Sequence, residues 1–284
     1  MSSARVILVT GCSSGIGRAT ALEAALRGHR VFASARKRSD LAELERRENL
    51  EALVLDVTDA ASVRAAADRV LARAGRLDAL VNNAGYGQYG ASEEVTLDEW
   101  RAQFDVNLFG AIAVMQAVLP AMRAAGGGTI VNVSSVAGRV TVPFAGPYSA
   151  SKHALEALSD ALRVELGAFG IRVVLVEPGP IETRFGDRAR SIVAPLLSRP
   201  GPYREVYTLA ERAMDGEFQK GKLPAEAVGR VILDAIEARR PRARYPVGRI
   251  AHALMPLKRA LPDRWFDALM RRSLGMSPGP KKSG

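Results

Sequence analysis

The chain contains one cysteine, Cys12, in 284 residues, which excludes a disulfide framework and suits a reducing compartment. Zinc-ligand spacings are missing, as is any RNA-binding aromatic signature, so neither a metal site nor nucleic-acid binding is expected. The N-terminus lacks a basic region followed by a long apolar core. The N-terminal run from Val6 to Thr10 is far too short to span a bilayer and does not follow a basic region, so a cytoplasmic protein is expected. Charge is uneven: residues 239–284 hold 12 Lys/Arg and 2 Asp/Glu, a net of +10 that equals the whole formal excess. A general nucleic-acid binder would spread its basic stripe across the main fold.

What is present is alternation. Apolar runs at 5–10, 30–34, 51–55, 78–82, 128–134 and 171–176 read as strands, separated by segments long enough for crossover helices. That pattern predicts an α/β fold, a Rossmann-type doubly wound parallel sheet of about seven strands with helices on both faces. Gly126-Gly127-Gly128 reads as a helix stop, and the end, Ser277 onward, as a disordered tail. One domain over 1–276 is expected.

Two local patterns suggest chemistry. Val6–Val9 runs into Thr10-Gly11-Cys12-Ser13-Ser14-Gly15-Ile16-Gly17 and then a helix-like stretch; such a turn lets backbone amides approach a pyrophosphate. Cys12 reads as a small turn residue rather than a nucleophile. Farther on, Tyr148 and Lys152 stand four apart on a helical stretch and so share one face. An adjacent ammonium should lower the phenol pKa from about 10 and make it a usable acid or base. Ser135, at the end of an apolar run, would present its hydroxyl to the same spot. Taken alone, an incidental i,i+4 pair remains the alternative.

These motifs, with Asn82-Asn83-Ala84-Gly85, Asn107 in Asn107-Leu108-Phe109-Gly110, and Pro178-Gly179, occur in one order over roughly 5–185 and together resemble the short-chain dehydrogenase/reductase family. Residues 136–144 and the extended C-terminus are most similar to its steroid- and retinol-oxidising branch, especially bacterial relatives of 17β-hydroxysteroid dehydrogenase type 1. The resemblance implies hydride transfer between a nicotinamide and a carbonyl or alcohol. Tyr148 would be the general acid/base, Ser135 would polarise the substrate oxygen, Lys152 would tune the phenol and bond the nicotinamide ribose, and Asn107 would hold a relay water. Cofactor contacts are implied at Gly11, Ser13, Ser14, Gly15, Ile16, Gly17, Asp56, Val57, Asn83, Ala84, Gly85, Tyr148, Lys152, Pro178, Gly179, Ile181 and Thr183. A strand near Arg244–Val247 and a substrate lid over about 184–224 are implied as well.

Cofactor preference can be read from charge. The run Arg30–Ala35 ends without a carboxylate and leads into Arg36-Lys37-Arg38, which would attract a 2′-phosphate, so NADP(H) is expected over NAD(H) with Arg36 as the main contact. Phe185, Ile192, Leu196, Leu197, Tyr203 and Tyr207 in the lid suit a small apolar ketone or alcohol. Segments 97–122 and 148–169 are expected to pair copies into a homodimer or homotetramer. The basic extension, about 239–276, would be broken by Pro256 and Pro262 and would cover the pocket; the alternative is a peripheral contact with an anionic membrane. A non-catalytic NADP(H)-binding sensor or scaffold is the competing function, and retention of Ser135, Tyr148 and Lys152 argues against it. Sugar-nucleotide epimerase chemistry would need a longer C-terminal domain.

Overall fold

Val6–Val9 forms strand β1 with every side chain buried, as expected of a strand covered on both faces. The computed structural model describes residues 4–198, 201–215 and 221–276. The tail expected from Ser277 lies outside them. Strands β2 (Arg30–Ala35), β3 (Leu50–Val54), β4 (Ala79–Asn82), β5 (Gly128–Val133), β6 (Ile171–Pro178) and β9 (Arg244–Val247) join β1 in one parallel sheet of order β3-β2-β1-β4-β5-β6-β9. The expected seven-stranded sheet is present, with strand ends within two residues of those predicted.

Side chains alternate between two cores. Ile7 and Val9 face α1 (Gly15–Leu26) and α8 (Ala225–Glu237), whose Val228, Ile232 and Ile236 are buried against them. Val6 and Leu8 face α2 (Ala60–Ala74), α4 (Gly110–Ala124) and α5 (Gly146–Glu165), packing with Val70, Val114, Val118 and Leu162. Burying each such side chain fully contributes about 1.5–3 kcal/mol relative to leaving it exposed. Asn82 and Asn132 have the plain structural role the sequence allowed: Asn82 Nδ2 donates to Asn132 Oδ1 at 3.0 Å, and Asn132 Nδ2 donates to Ser159 Oγ at 2.8 Å.

Helix α3 (Leu97–Phe104) continues through a π-helical turn, Asp105–Phe109, into α4. The combined run, Leu97–Ala124, is long and apolar enough to cross a membrane by length and composition. However, Val114, Val118 and Met122 on one of its faces are buried in the second core.

The stretch read as a lid forms helices α6 (Arg184–Ser198) and α7 (Arg204–Asp215), framed by a two-stranded parallel ribbon of β7 (Ile181–Glu182) and β8 (Leu223–Pro224) that sequence did not predict. After β9 come α9 (Arg249–Ala260) and α10 (Asp263–Ser273). Pro262 separates these two, but Pro256 does not break α9, contrary to expectation. A proline there removes one bond, to the carbonyl of His252, an exposed residue where water can replace the donor.

Candidate active site

In an open parallel sheet the ligand crevice lies beyond the carboxyl ends of the strands, where strand order reverses. Here β1 is followed on one side by β2 and on the other by β4, and a cleft of about 800 Å³ opens at that edge. The glycine turn forms its floor. Gly11 and Gly15 have φ of +73° and +57°, which side-chain-bearing residues rarely adopt. A Cβ on Gly11 would stand 2.8 Å from Ala84 Cα, and one on Gly17 would stand 2.4 Å from Asn83 Nδ2. Thr10, which opens the motif but was given no role from sequence, fastens this packing: its hydroxyl accepts from the amides of Asn83 and Ala84 at 2.9 and 3.0 Å, while Asn83 Nδ2 donates to the Thr10 carbonyl at 2.9 Å. Cys12 is sealed below the turn, and burial pushes its thiol up to about 12, which suits a turn residue and not a nucleophile.

Ser13, Ser14, Gly15 and Ile16 bring the N-terminus of α1 to the cleft, with no acidic residue in its first turn to oppose an anion. A Cβ on Gly15 would meet Thr183 Cγ2 at 2.9 Å, so the turn and the segment after β6 meet across the cleft. Pro178, Gly179 and Ile181 line the same wall. Ala35 is buried at the end of β2, followed by Arg36 and Lys37 on the cleft wall, while Arg38 turns to an ion pair with Glu45. Asp56 and Val57, just past the end of the neighbouring strand β3, line the cleft beside them. The Thr58 amide bond, assisted by the Thr58 hydroxyl and the Arg36 charge, holds the Asp56 carboxyl below its usual range despite partial burial.

Deeper in the cleft, Tyr148 and Lys152 project from the first two turns of α5, and Ser135 follows the end of β5. The Ser135 hydroxyl lines the cleft beside Tyr148, and its Oγ accepts from the Ala137 amide at 3.1 Å. The expectation that Lys152 lowers the phenol pKa is not met. Burial pushes Tyr148 up to about 12, with the Ser135 hydroxyl pulling the other way. Lys152 Nζ donates instead to the Val133 carbonyl at 2.8 Å and stands 6.0 Å from the phenol ring centre. Burial pushes Lys152 down to about 8, opposed by the charge of Glu156.

Asn107 and Gly17 are the two expected site residues that do not line the cleft. Asn107 is buried in the π-helical turn, a feature frequent at functional sites. Its Nδ2 donates to the Tyr86 carbonyl at 3.0 Å and to Ser151 Oγ at 3.1 Å, and its Oδ1 accepts from the Tyr86 amide at 3.1 Å. The side chain therefore fixes the loop after Gly85.

Around the phenol the cleft turns apolar. Tyr89 stacks on Tyr148 at 6.3 Å and Phe185 lies 5.5 Å away; Phe185 was expected as a lid residue, whereas Tyr89 belongs to no motif and was not foreseen. Phe144 adopts a left-handed φ of +63°, held by edge contacts to Tyr203 and Tyr207 at 6.3 and 5.7 Å. Val193, Ile250, Leu254, Met270 and Leu274 complete the wall, so lid and C-terminal helices both enclose the cleft.

Set beside known proteins, residues 5–192 match the family described as short chain dehydrogenase. The chain is 37% identical to an NADPH-dependent 3-dehydrocapnine reductase of Ornithobacterium rhinotracheale, over 95% of this chain and 97% of that one. It is 36% identical to a 3-ketodihydrosphingosine reductase of Bacteroides thetaiotaomicron, over 94% and 97% respectively. A solved short-chain dehydrogenase/reductase from Burkholderia phymatum in complex with NAD superposes with a TM-score of 0.77 at 28% identity, covering 99% of this chain and 98% of that one.

Proposed function

The chain belongs to the short-chain dehydrogenase/reductase family of nicotinamide-dependent oxidoreductases, and from that premise we propose that it is an NADP(H)-dependent reductase of apolar ketones. The observation that carries this reading is the convergence of Ser135, Tyr148 and Lys152 on one spot where a glycine-floored groove meets an apolar pocket. The groove suits a dinucleotide phosphate: its glycines leave no room for side chains, α1 points its N-terminus inward, and Arg36 with Lys37 marks the end of β2.

A bound nicotinamide supplies or accepts the hydride. Ser135 holds the substrate oxygen, and Tyr148 gives that oxygen a proton in reduction or takes one in oxidation. With its pKa raised by burial, the phenol carries its proton at neutral pH, the form that can donate in reduction. Lys152 supplies a positive charge behind the phenol and a ribose contact. The side chain of Asn107 is committed to Tyr86 and Ser151, so the relay role falls to its carbonyl and an intervening water. Asp56, Val57 and Asn83–Gly85 flank the adenosine and the dinucleotide.

The substrate is proposed to be a long aliphatic ketone rather than a steroid or retinoid. Two relatives are named as reductases of 3-dehydrocapnine and 3-ketodihydrosphingosine, and the apolar wall extends from Tyr89 to Leu274. NADPH consumption with methyl ketones of increasing chain length should give KM values that fall with length. Leu254→Ala with Met270→Ala should raise KM for the longest ketone about 10-fold and leave the shortest unchanged. Trp265 and Leu269, 61% and 39% exposed on the outer side of α10, are the residues a membrane contact would use. If α9 and α10 are a pocket cover, Trp265→Ser with Leu269→Ser leaves turnover unchanged and the native protein does not sediment with anionic vesicles. Salt-sensitive sedimentation abolished by those outer substitutions would favour the membrane contact instead.

Leu97 and Phe109 are exposed on the α3–α4 run, and Val164 on α5. Pairing of these helices about a two-fold axis is the proposed assembly. Light scattering should return at least a dimer mass at micromolar concentration, and a monomer mass would remove the proposal.

A further inference from the structure

Behind Lys152 lies a set of ionisable groups for which the reaction above has no use. Glu156, one turn farther along α5, has a side chain 5% exposed, and Glu177 on β6 has none of its side chain exposed. Arg244, at the start of β9, reaches both, its Nε standing 3.2 Å from Glu156 Oε2 and 3.4 Å from Glu177 Oε1. The same guanidinium is already committed elsewhere, since its Nη2 donates to both oxygens of Asp160 at 2.7 Å, where Arg163 also binds at 2.7 Å. Arg139 approaches Glu156 no closer than 3.9 Å.

One Nε–H shared by two carboxylates cannot neutralise both. Glu156 Oε1 and both Glu177 oxygens are buried with no hydrogen-bond partner among the described residues, and so is Ser134 Oγ. Two buried like charges in so dry a place are costly, and a shared proton relieves the cost. Burial first, then the nearby Glu156 charge, raises Glu177 well above the usual carboxylate range, against the pull of Arg244 and Arg139. The pair is also packed directly against the catalytic helix face. A Cβ on Gly138 would lie 3.2 Å from Glu156 Cγ, 3.2 Å from Lys152 Cβ and 2.7 Å from Ser134 Oγ, so these side chains converge on one bare glycine.

We propose that Glu156 and Glu177 share one proton and act as positioning residues for charge, holding Lys152 in its ammonium form while the cleft is dry. The proposal rests on the reading of Lys152 given above. With the shared proton in place the pair carries one negative charge. When that proton leaves to solvent as pH rises, the pair gains a second, and Lys152 keeps its own proton to higher pH than burial alone would permit. A group that serves only to tie α5 to β9 would have no such influence on Lys152.

Titration of the Lys152 side chain by NMR in lysine-labelled full-length protein, with its signal assigned through Lys152→Arg, reads this charge directly and needs no turnover. Glu156→Gln should lower the Lys152 midpoint by about one pH unit, and the alkaline limb of ketone reduction should move with it. Glu156→Asp, which keeps the charge, should restore most of the shift. Glu177→Gln should lower the midpoint less. It should also raise Tm above pH 8 relative to native protein: the folded-state pKa of Glu177 lies above its unfolded value, so its ionisation costs stability as pH rises between the two. Asp160→Asn, which breaks only the outer pairing with Arg244, should lower Tm and leave the Lys152 midpoint in place. A Lys152 midpoint unmoved by both Glu156→Gln and Glu177→Gln would overturn the proposal. A midpoint that moves without the kinetic limb would uphold the carboxyl pair and refute the role given to Lys152 in the reaction.

Discussion

Replacing Tyr148 by phenylalanine should reduce turnover about 10²-fold or more while cofactor affinity stays near its native value. The ring would keep its place, since it is held by Tyr89 at 6.3 Å and Phe185 at 5.5 Å, and only the proton-bearing oxygen would be lost. Single-turnover rates with a saturating apolar ketone, alongside NADPH fluorescence titration, separate the two quantities. Turnover within a few-fold of native would remove Tyr148 from the reaction. The pH dependence should be asymmetric: with its phenol pushed up to about 12, the protein reduces steadily through neutrality, whereas alcohol oxidation, which needs phenolate, accelerates as pH rises. Lys152→Ala should lower both turnover and cofactor affinity; unchanged affinity would reject its ribose contact.

The second large effect expected is on cofactor preference. Ala35→Asp combined with Arg36→Leu should shift the ratio of kcat/KM for NADPH over that for NADH by about 10²-fold toward NADH. Ala35 sits buried at the end of β2 with Arg36 at the cleft wall, so the double change places a carboxylate where a ribose diol would lie and withdraws a cation from the 2′-phosphate. Arg38→Leu should matter little, because Arg38 is engaged with Glu45. A native protein that already prefers NADH in steady-state kinetics would show that the basic cluster does not select the phosphate.

Much of this site was legible because its parts are local in sequence. The glycine turn, the i,i+4 pair on α5 and the Pro178-Gly179 exit each occupy fewer than ten residues, and the short β9 strand was placed at 244–247. The sign of the Tyr148 shift was not legible. Proximity of Lys152 in sequence suggested a charge effect, but the depth of burial depends on residues from β5, α6 and the Tyr86–Gly90 loop, and burial dominates. The π-helical turn at Asn107 escaped for a related reason: a change of backbone register leaves no mark in residue type. Glu156 and Glu177 stand 21 positions apart and share no motif, so only the packing of α5 against β6 brings them together. Pro256 misled in the opposite direction, since a residue that usually ends a helix was tolerated at an exposed edge.

The small ribbon of β7 and β8 has a consequence for how such a protein can change its diet. Ile181 pairs with Leu223 and Glu182 with Pro224, so both ends of the segment 183–222 return to a single point beside the sheet. Closing a loop already closed adds little entropy when its interior lengthens, because the cost grows only with the logarithm of length. The segment is therefore mounted like an interchangeable die in a fixed press. Beyond Phe185, which packs on Tyr148, its length and sequence can be rewritten to admit a different chain or ring while the glycine floor stays in place.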